Sequence, residues 1–86
     1  MYKVRLTKRA AQFYRTAETS LARRLVRAFE ALEQNPRQHP NIKALKGELA
    51  GRHRYRVGDY RVVYRIDDDA AEVVVLLIKH RREVYD

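Results

Sequence analysis

GRHRYRVGDYRVVYR, residues 51–65, holds five arginines with apolar and aromatic residues set between them. Gly58-Asp59 reads as the two-residue loop of a β-hairpin, because that pair supplies the positive φ such turns need. The register follows by counting outward: Val57 opposite Tyr60, Arg56 opposite Arg61, Tyr55 opposite Val62, Arg54 opposite Val63, His53 opposite Tyr64 and Arg52 opposite Arg65. Side chains alternate across a strand, so His53, Tyr55, Val57, Tyr60, Val62, Tyr64 and Ile66 share one face, suited to packing on helices. Arg52, Arg54, Arg56, Arg61 and Arg65 share the other, with Val63 and no acid. Two pairs of arginines stand directly opposed, each costing a few tenths to ~1 kcal/mol without a counter-anion. Solvated arginines on an exposed strand are ordinary, but five on two paired strands without an acid point to an anion-binding face. Contact with five phosphates of a single strand would give a salt slope of roughly −3.5, at about −0.7 per phosphate, and no sequence specificity.

Outside the hairpin, the pattern is strand, helix, helix. Tyr2 to Leu6 alternates apolar and basic residues, and Thr7 stands where a helix N-cap would. Ala10, Phe13, Tyr14 and Ala17 then recur at helical spacing. Thr19 or Ser20 can cap a second helix with the stripe Leu21, Leu25, Ala28, Phe29 and Leu32 and with Arg23, Arg24, Arg27 and Glu30 on its opposite face. Asn35-Pro36 closes that helix and Pro40 keeps the next segment in a loop. The short link predicts an antiparallel helical hairpin. After it come strands over residues 52–57, 60–66 and 72–78, the last broken off from its neighbour by Asp67-Asp68-Asp69. The run Val73 to Ile78 is nearly all apolar and reads as an interior strand covered on both sides. No repeat or linker divides the chain, so residues 1–86 are read as one domain.

Composition narrows the function. The formal charge is +8, and 14 of the 19 basic residues are arginine, whose planar fork matches phosphate and carboxylate oxygens. A chain of 86 residues buries only about 60–65% of its unfolded surface, so a partner protein could add stability. There is no cysteine, which excludes disulfides, a thiol nucleophile and thiolate metal sites. No apolar run is long enough to span a bilayer and the N-terminus lacks the apolar core of a signal peptide, which predicts a cytoplasmic protein with no membrane partner. Asp67-Asp68-Asp69 reads as a solvated turn, His39 and His53 as structural, and no motif asks for a metal or other cofactor.

Lys79-His80-Arg81-Arg82-Glu83-Val84-Tyr85 follows the last strand. If that strand lies beside the hairpin, His80, Arg81 and Tyr85 reach the rim of the arginine face. Their chemistry suits RNA cleavage by the 2′-hydroxyl: an imidazole moves protons, a guanidinium stabilises the phosphorane and a phenol stacks on a base or orients the phosphate.

The strings LKGELAGRHRYRVGDYRVVYRI and IKHRREVY resemble the RelE/ParE superfamily of bacterial and archaeal toxins, in its RelE branch, and the resemblance extends over nearly the whole chain. It implies an α+β fold in which an N-terminal strand, a helical hairpin and a three-stranded antiparallel meander form one twisted sheet with the helices on one face. It also implies a metal-independent endoribonuclease that cuts messenger RNA in the A site of the 70S ribosome. A cognate antitoxin, expected to bring an acidic segment, would hold it inactive, and operator DNA would be bound only as the toxin–antitoxin complex. Carried over by position, Arg54 and Arg56 contact RNA with Arg52 flanking them, Arg61 stabilises the reacting phosphate, Arg81, preceded by His80, is the C-terminal catalytic arginine, and Tyr85 stacks on or orients the nucleotide; Arg65, on the same face, is read as a further RNA-binding residue. Lys79 stands where relatives often have glycine. Arginine is a poor base, which leaves His80, Tyr85 or a water as proton acceptor, His80 favoured. Two other readings remain: a ParE-like toxin that poisons DNA gyrase by binding, and a non-catalytic basic module that binds RNA or an antitoxin.

Overall fold

The computed structural model describes residues 1–83. In chain order the elements are β1 (Lys3–Leu6), α1 (Lys8–Thr16), α2 (Thr19–Gln34), β2 (Ile42–Ala44), β3 (Arg52–Val57), β4 (Tyr60–Asp67) and β5 (Glu72–His80), with 3₁₀ turns at Gly47–Leu49 and Arg81–Glu83. The strands make one sheet in the order β1-β5-β4-β3-β2. β1 runs parallel to β5 and every other pair is antiparallel. The architecture is therefore the α+β arrangement expected, with one strand more than the sequence predicts. β2 pairs with β3 over Ile42–Tyr55, Lys43–Arg54 and Ala44–His53.

The helices cover one face of the sheet. Leu21, Leu25, Ala28 and Leu32 of α2, with Ala10 of α1, pack on Tyr55, Val57, Val62, Tyr64, Val73, Val75 and Ile78. These are the residues that helical and strand periodicity assign to the interior, and truncating a buried leucine such as Leu25 to alanine costs about 2–5 kcal/mol. Thr7 caps α1 as expected, its hydroxyl oxygen accepting from the Ala10 N–H at 3.2 Å. The same hydroxyl donates to the Leu76 carbonyl at 2.8 Å, which ties the start of α1 to β5. α2 differs from expectation: Glu18 is its N-cap and no side chain closes the cap, while Thr19 and Ser20 lie inside the helix. The Ser20 hydroxyl is taken up by the Glu18 carboxylate instead.

Beyond α2 the chain is pinned by polar contacts. The Asn35 side-chain oxygen accepts from the N–H groups of Arg37 and Gln38, and the Pro36 carbonyl accepts from the fully buried Tyr64 phenol at 2.7 Å. Burial pushes that phenol far above its usual pKa. Arg37 reaches Asp68 at 2.7 Å and the Tyr2 hydroxyl at 3.2 Å, joining this loop to the β4–β5 turn. These bonds hold the Asp68 carboxyl below the ordinary carboxylate range. His53 stacks on Tyr64 at 5.6 Å and His39 packs on Tyr55 at 5.0 Å, structural places as the sequence predicts.

β5 carries one irregularity that matters later. Its register with β4 shifts between Val63 and Tyr64, so that Leu77 pairs with Val63, Val75 pairs with Tyr64, and Leu76 is the extra residue of a bulge. Among the described residues no helix is long and apolar enough to cross a membrane.

Candidate nucleic-acid interface

The β3–β4 pairing matches the counted register at all six positions, Arg52–Arg65 through Val57–Tyr60. The turn between them reaches positive φ at Gly58 alone, +57°, as in a type II′ loop, and Asp59 stays in the ordinary region. Gly58 also lies under the Arg24 side chain of α2, whose guanidinium end would have to shift to admit a Cβ there.

With β2 and β5 added, the arginine face resolves into rows across the sheet. Arg56, Arg61 and Lys79 form the row nearest the turn, followed by Lys43, Arg54, Val63 and Leu77. A third row holds Arg52, Arg65, Val74 and Arg5. None of these rows contains an acid. Val63 and Val74 are 3% and 2% exposed although they belong to the face away from the helices, which gives the arginines an apolar floor. Farther along, the same face carries Asp67 opposite Glu72, with Arg5 3.3 Å from the Glu72 carboxylate. The cationic character is thus concentrated at the turn end.

The individual side chains are held differently. Arg61 is only 7% exposed, and its Nη1 donates to the carbonyls of Gly58 at 3.0 Å and Tyr60 at 3.1 Å. Arg54 is half-buried and donates to the Asn41 carbonyl at 2.7 Å. Arg52, Arg56 and Arg65 stand exposed. Arg81, just past β5, donates its backbone N–H to the Asp59 carbonyl at 2.7 Å, and its Nε lies 3.8 Å from the Asp59 carboxylate. Arg61 and Arg81 are therefore both anchored on the same three residues, Gly58 to Tyr60. A buried guanidinium with its position fixed by backbone carbonyls is preorganised for an anion, with little left to order on binding.

His80 does not share that side of the sheet. It pairs with Tyr60, and its ring meets the Tyr60 ring edge-on at 5.5 Å. Tyr60 in turn meets Phe13 of α1 at 5.7 Å, on the helix side, where these rings line a groove with Arg9 and Gln12. The His80 Nδ1 accepts from the Arg82 N–H at 3.3 Å. The bulge at Leu76 is the cause: one extra residue reverses the alternation, so that Lys79 instead of His80 comes to the arginine face. Lys79, like Lys43 and Arg5, is a basic residue at this face that sequence reasoning did not include. No periodic signal could reveal the bulge, because Val73 to Ile78 is apolar throughout. Tyr85 lies outside the described residues. Among those described, no three His, Cys, Asp or Glu side chains are grouped to hold a metal ion.

A five-stranded sheet with two helices on one face and an arginine face anchored at a hairpin turn defines a small α+β domain with a surface suited to anions. The family model for the ParE toxin of type II toxin-antitoxin systems, parDE, matches residues 4–85, and the chain belongs to that family, within the RelE/ParE superfamily. It is 38% identical over 85 residues to Toxin RelE of Mycobacterium tuberculosis, covering 98% of this chain and 86% of that toxin. A match to Toxin RelG of the same organism is 49% identical over 43 residues and covers half of this chain and 49% of RelG. In solved structures, the RelBE2 toxin–antitoxin complex of Mycobacterium tuberculosis superposes with a TM-score of 0.80 at 34% identity, covering 93% of this chain and 98% of that one. The protein is thus a type II toxin of the RelE/ParE superfamily, related to RelE.

Proposed function

We propose that this toxin is a ribosome-dependent endoribonuclease that cuts messenger RNA in the A site without a metal ion. In the reaction the 2′-hydroxyl loses its proton and its oxygen attacks the adjacent phosphorus. The bond from phosphorus to the 5′-oxygen breaks, leaving a 2′,3′-cyclic phosphate, and the departing oxygen takes up a proton. The observation that carries the reading is the joint anchoring of Arg61 and Arg81 on the Gly58–Tyr60 turn, beside the Arg56–Arg61–Lys79 row. Two guanidinium groups held there can stabilise the dianionic phosphorane. Arg52, Arg54, Arg56 and Arg65 hold the RNA backbone, and Tyr85 orients the nucleotide. The proton acceptor is His80, Tyr85 or a water; the His80 ring faces the helix side, so it can act only on RNA that reaches round the end of β5.

An antitoxin is the expected partner, as in the RelBE2 complex, and a net charge of +8 favours an acidic segment that covers the sheet. The complex, and not the free toxin, would bind operator DNA. The description of the matching family as parDE toxins supports a second reading, gyrase poisoning by binding.

The test is to map RNA ends after adding the protein to programmed 70S ribosomes, with naked mRNA, EDTA and an Arg81→Ala variant in parallel. Cuts confined to the A-site codon, insensitive to EDTA and absent in the variant, are expected. Intact message, together with inhibition of gyrase supercoiling by the same preparation, would replace the ribonuclease reading with the gyrase one.

A further inference from the structure

A second cationic site lies on the other side of the hairpin margin. Between α2 and the end of β3 runs a groove of about 230 Å³ lined by Arg24, Arg27, Arg56 and Asn41, with Ala28 and Val57 among its apolar walls. Arg24 and Arg27 sit three residues apart on one side of α2, and Arg24 lies over Gly58, where the missing side chain leaves it room. β2 begins at Ile42 opposite Tyr55, so Val57 and Gly58 lie beyond its pairing at the sheet margin and the groove opens past them. No carboxylate lines it, and Arg24, Arg27 and Arg56 make no ion pair among the described residues. The Arg24 and Arg27 guanidinium groups, with Arg56 at the margin, place like charges close together, and an anion entering the groove would offset their repulsion.

We propose that this groove is a second phosphate-binding site for single-stranded RNA, which carries the backbone around the margin of β3 away from the arginine face. Arg56 links the two sites. It belongs both to the groove and to the row with Arg61 and Lys79, so the cationic surface is continuous from the proposed cleavage site to α2. That continuity favours RNA over an acidic protein segment as the occupant, because a strand leaving the arginine face at Arg56 meets Arg24 and Arg27 next. The guanidinium forks bind phosphate oxygens without reading bases, so the groove adds affinity and no sequence preference. The inference rests on the proposed RNA reading, and the experiment separates the two.

The affinity of the Arg81→Ala protein for a short labelled single-stranded oligoribonucleotide is measured by anisotropy across a salt series, with and without Arg24→Gln and Arg27→Gln. The expected result is weaker binding and a salt slope smaller in magnitude by about 1.4, two phosphates at about 0.7 each, with an unchanged melting temperature. Arg24→Lys with Arg27→Lys should keep the slope, because the charges remain. An unchanged slope in the glutamine variant overturns the proposal, as does a lowered melting temperature with the slope lost in both variants. A slope that stays while antitoxin affinity falls also overturns it and assigns the groove to the protein partner. Failure of the ribonuclease reading shows itself elsewhere, as intact message on ribosomes with the groove's salt slope in place.

Discussion

The two ends of this sheet treat charge in opposite ways. At the end away from the hairpin turn, cations meet acids: Arg5 with Glu72 at 3.3 Å, and Arg37 with Asp68 at 2.7 Å. At the turn end the strand rows set cation beside cation, Arg56 facing Arg61 and Arg61 facing Lys79, while Asp59 of the turn lies 3.8 Å from Arg81. One sheet, built from one sequence, shows that pairing was available. The rows at the turn end therefore concentrate positive charge, an arrangement suited to a ligand of opposite charge.

The largest expected effect sharpens this contrast at the chemistry. Arg81→Ala should lower single-turnover cleavage on ribosomes by about 10²–10³-fold, the usual loss on removing a donor aimed at developing charge, while leaving the melting temperature unchanged. His80→Ala should cost less than Arg81→Ala in the same assay, because its ring stands on the helix side. Next comes the scaffold that both ends share. Tyr64→Phe leaves the Pro36 carbonyl without its donor and should cost about 1–3 kcal/mol in urea unfolding, with cleavage retained in the folded fraction.

Charge changes break the comparison directly. Arg65→Glu places an acid opposite Arg52 and should raise stability by about 0.5–1 kcal/mol while weakening RNA binding. A gain of stability on removing an opposed pair of like charges is the signature of a functional cost. The smallest effect is one of pH. Burial of His53 lowers its pKa, so the folded chain favours the neutral ring while the unfolded chain takes up a proton near its ordinary value of 6.5. Stability is then full above that value and falls as the pH drops below it. Melting curves between about pH 7.5 and about pH 5 should show the decline, and His53→Gln should flatten it.

What could be read from the sequence followed from local rules. A two-residue loop sets a hairpin register residue by residue, so the arginine face was legible down to each pair. The helical stripes were legible for the same reason, through spacing. β2 was not, because three residues behind Pro40 are too few to show a period. The side on which Lys79 and His80 stand was hidden as well. Plain alternation from Val73 would bring His80 to the arginine face, and the bulge at Leu76 brings Lys79 there. In a run that is apolar on both faces, one extra residue leaves no trace in the pattern.

The most direct test sets the two ends against each other: single-turnover cleavage of ribosome-bound message by Arg61→Gln and by Arg5→Gln, measured beside the parent protein. The account predicts a loss of about 10²–10³-fold for Arg61→Gln and an unchanged rate for Arg5→Gln, whose partner is Glu72. Equal rates for the two variants would contradict it, since the turn end would then be no more than a second charged surface.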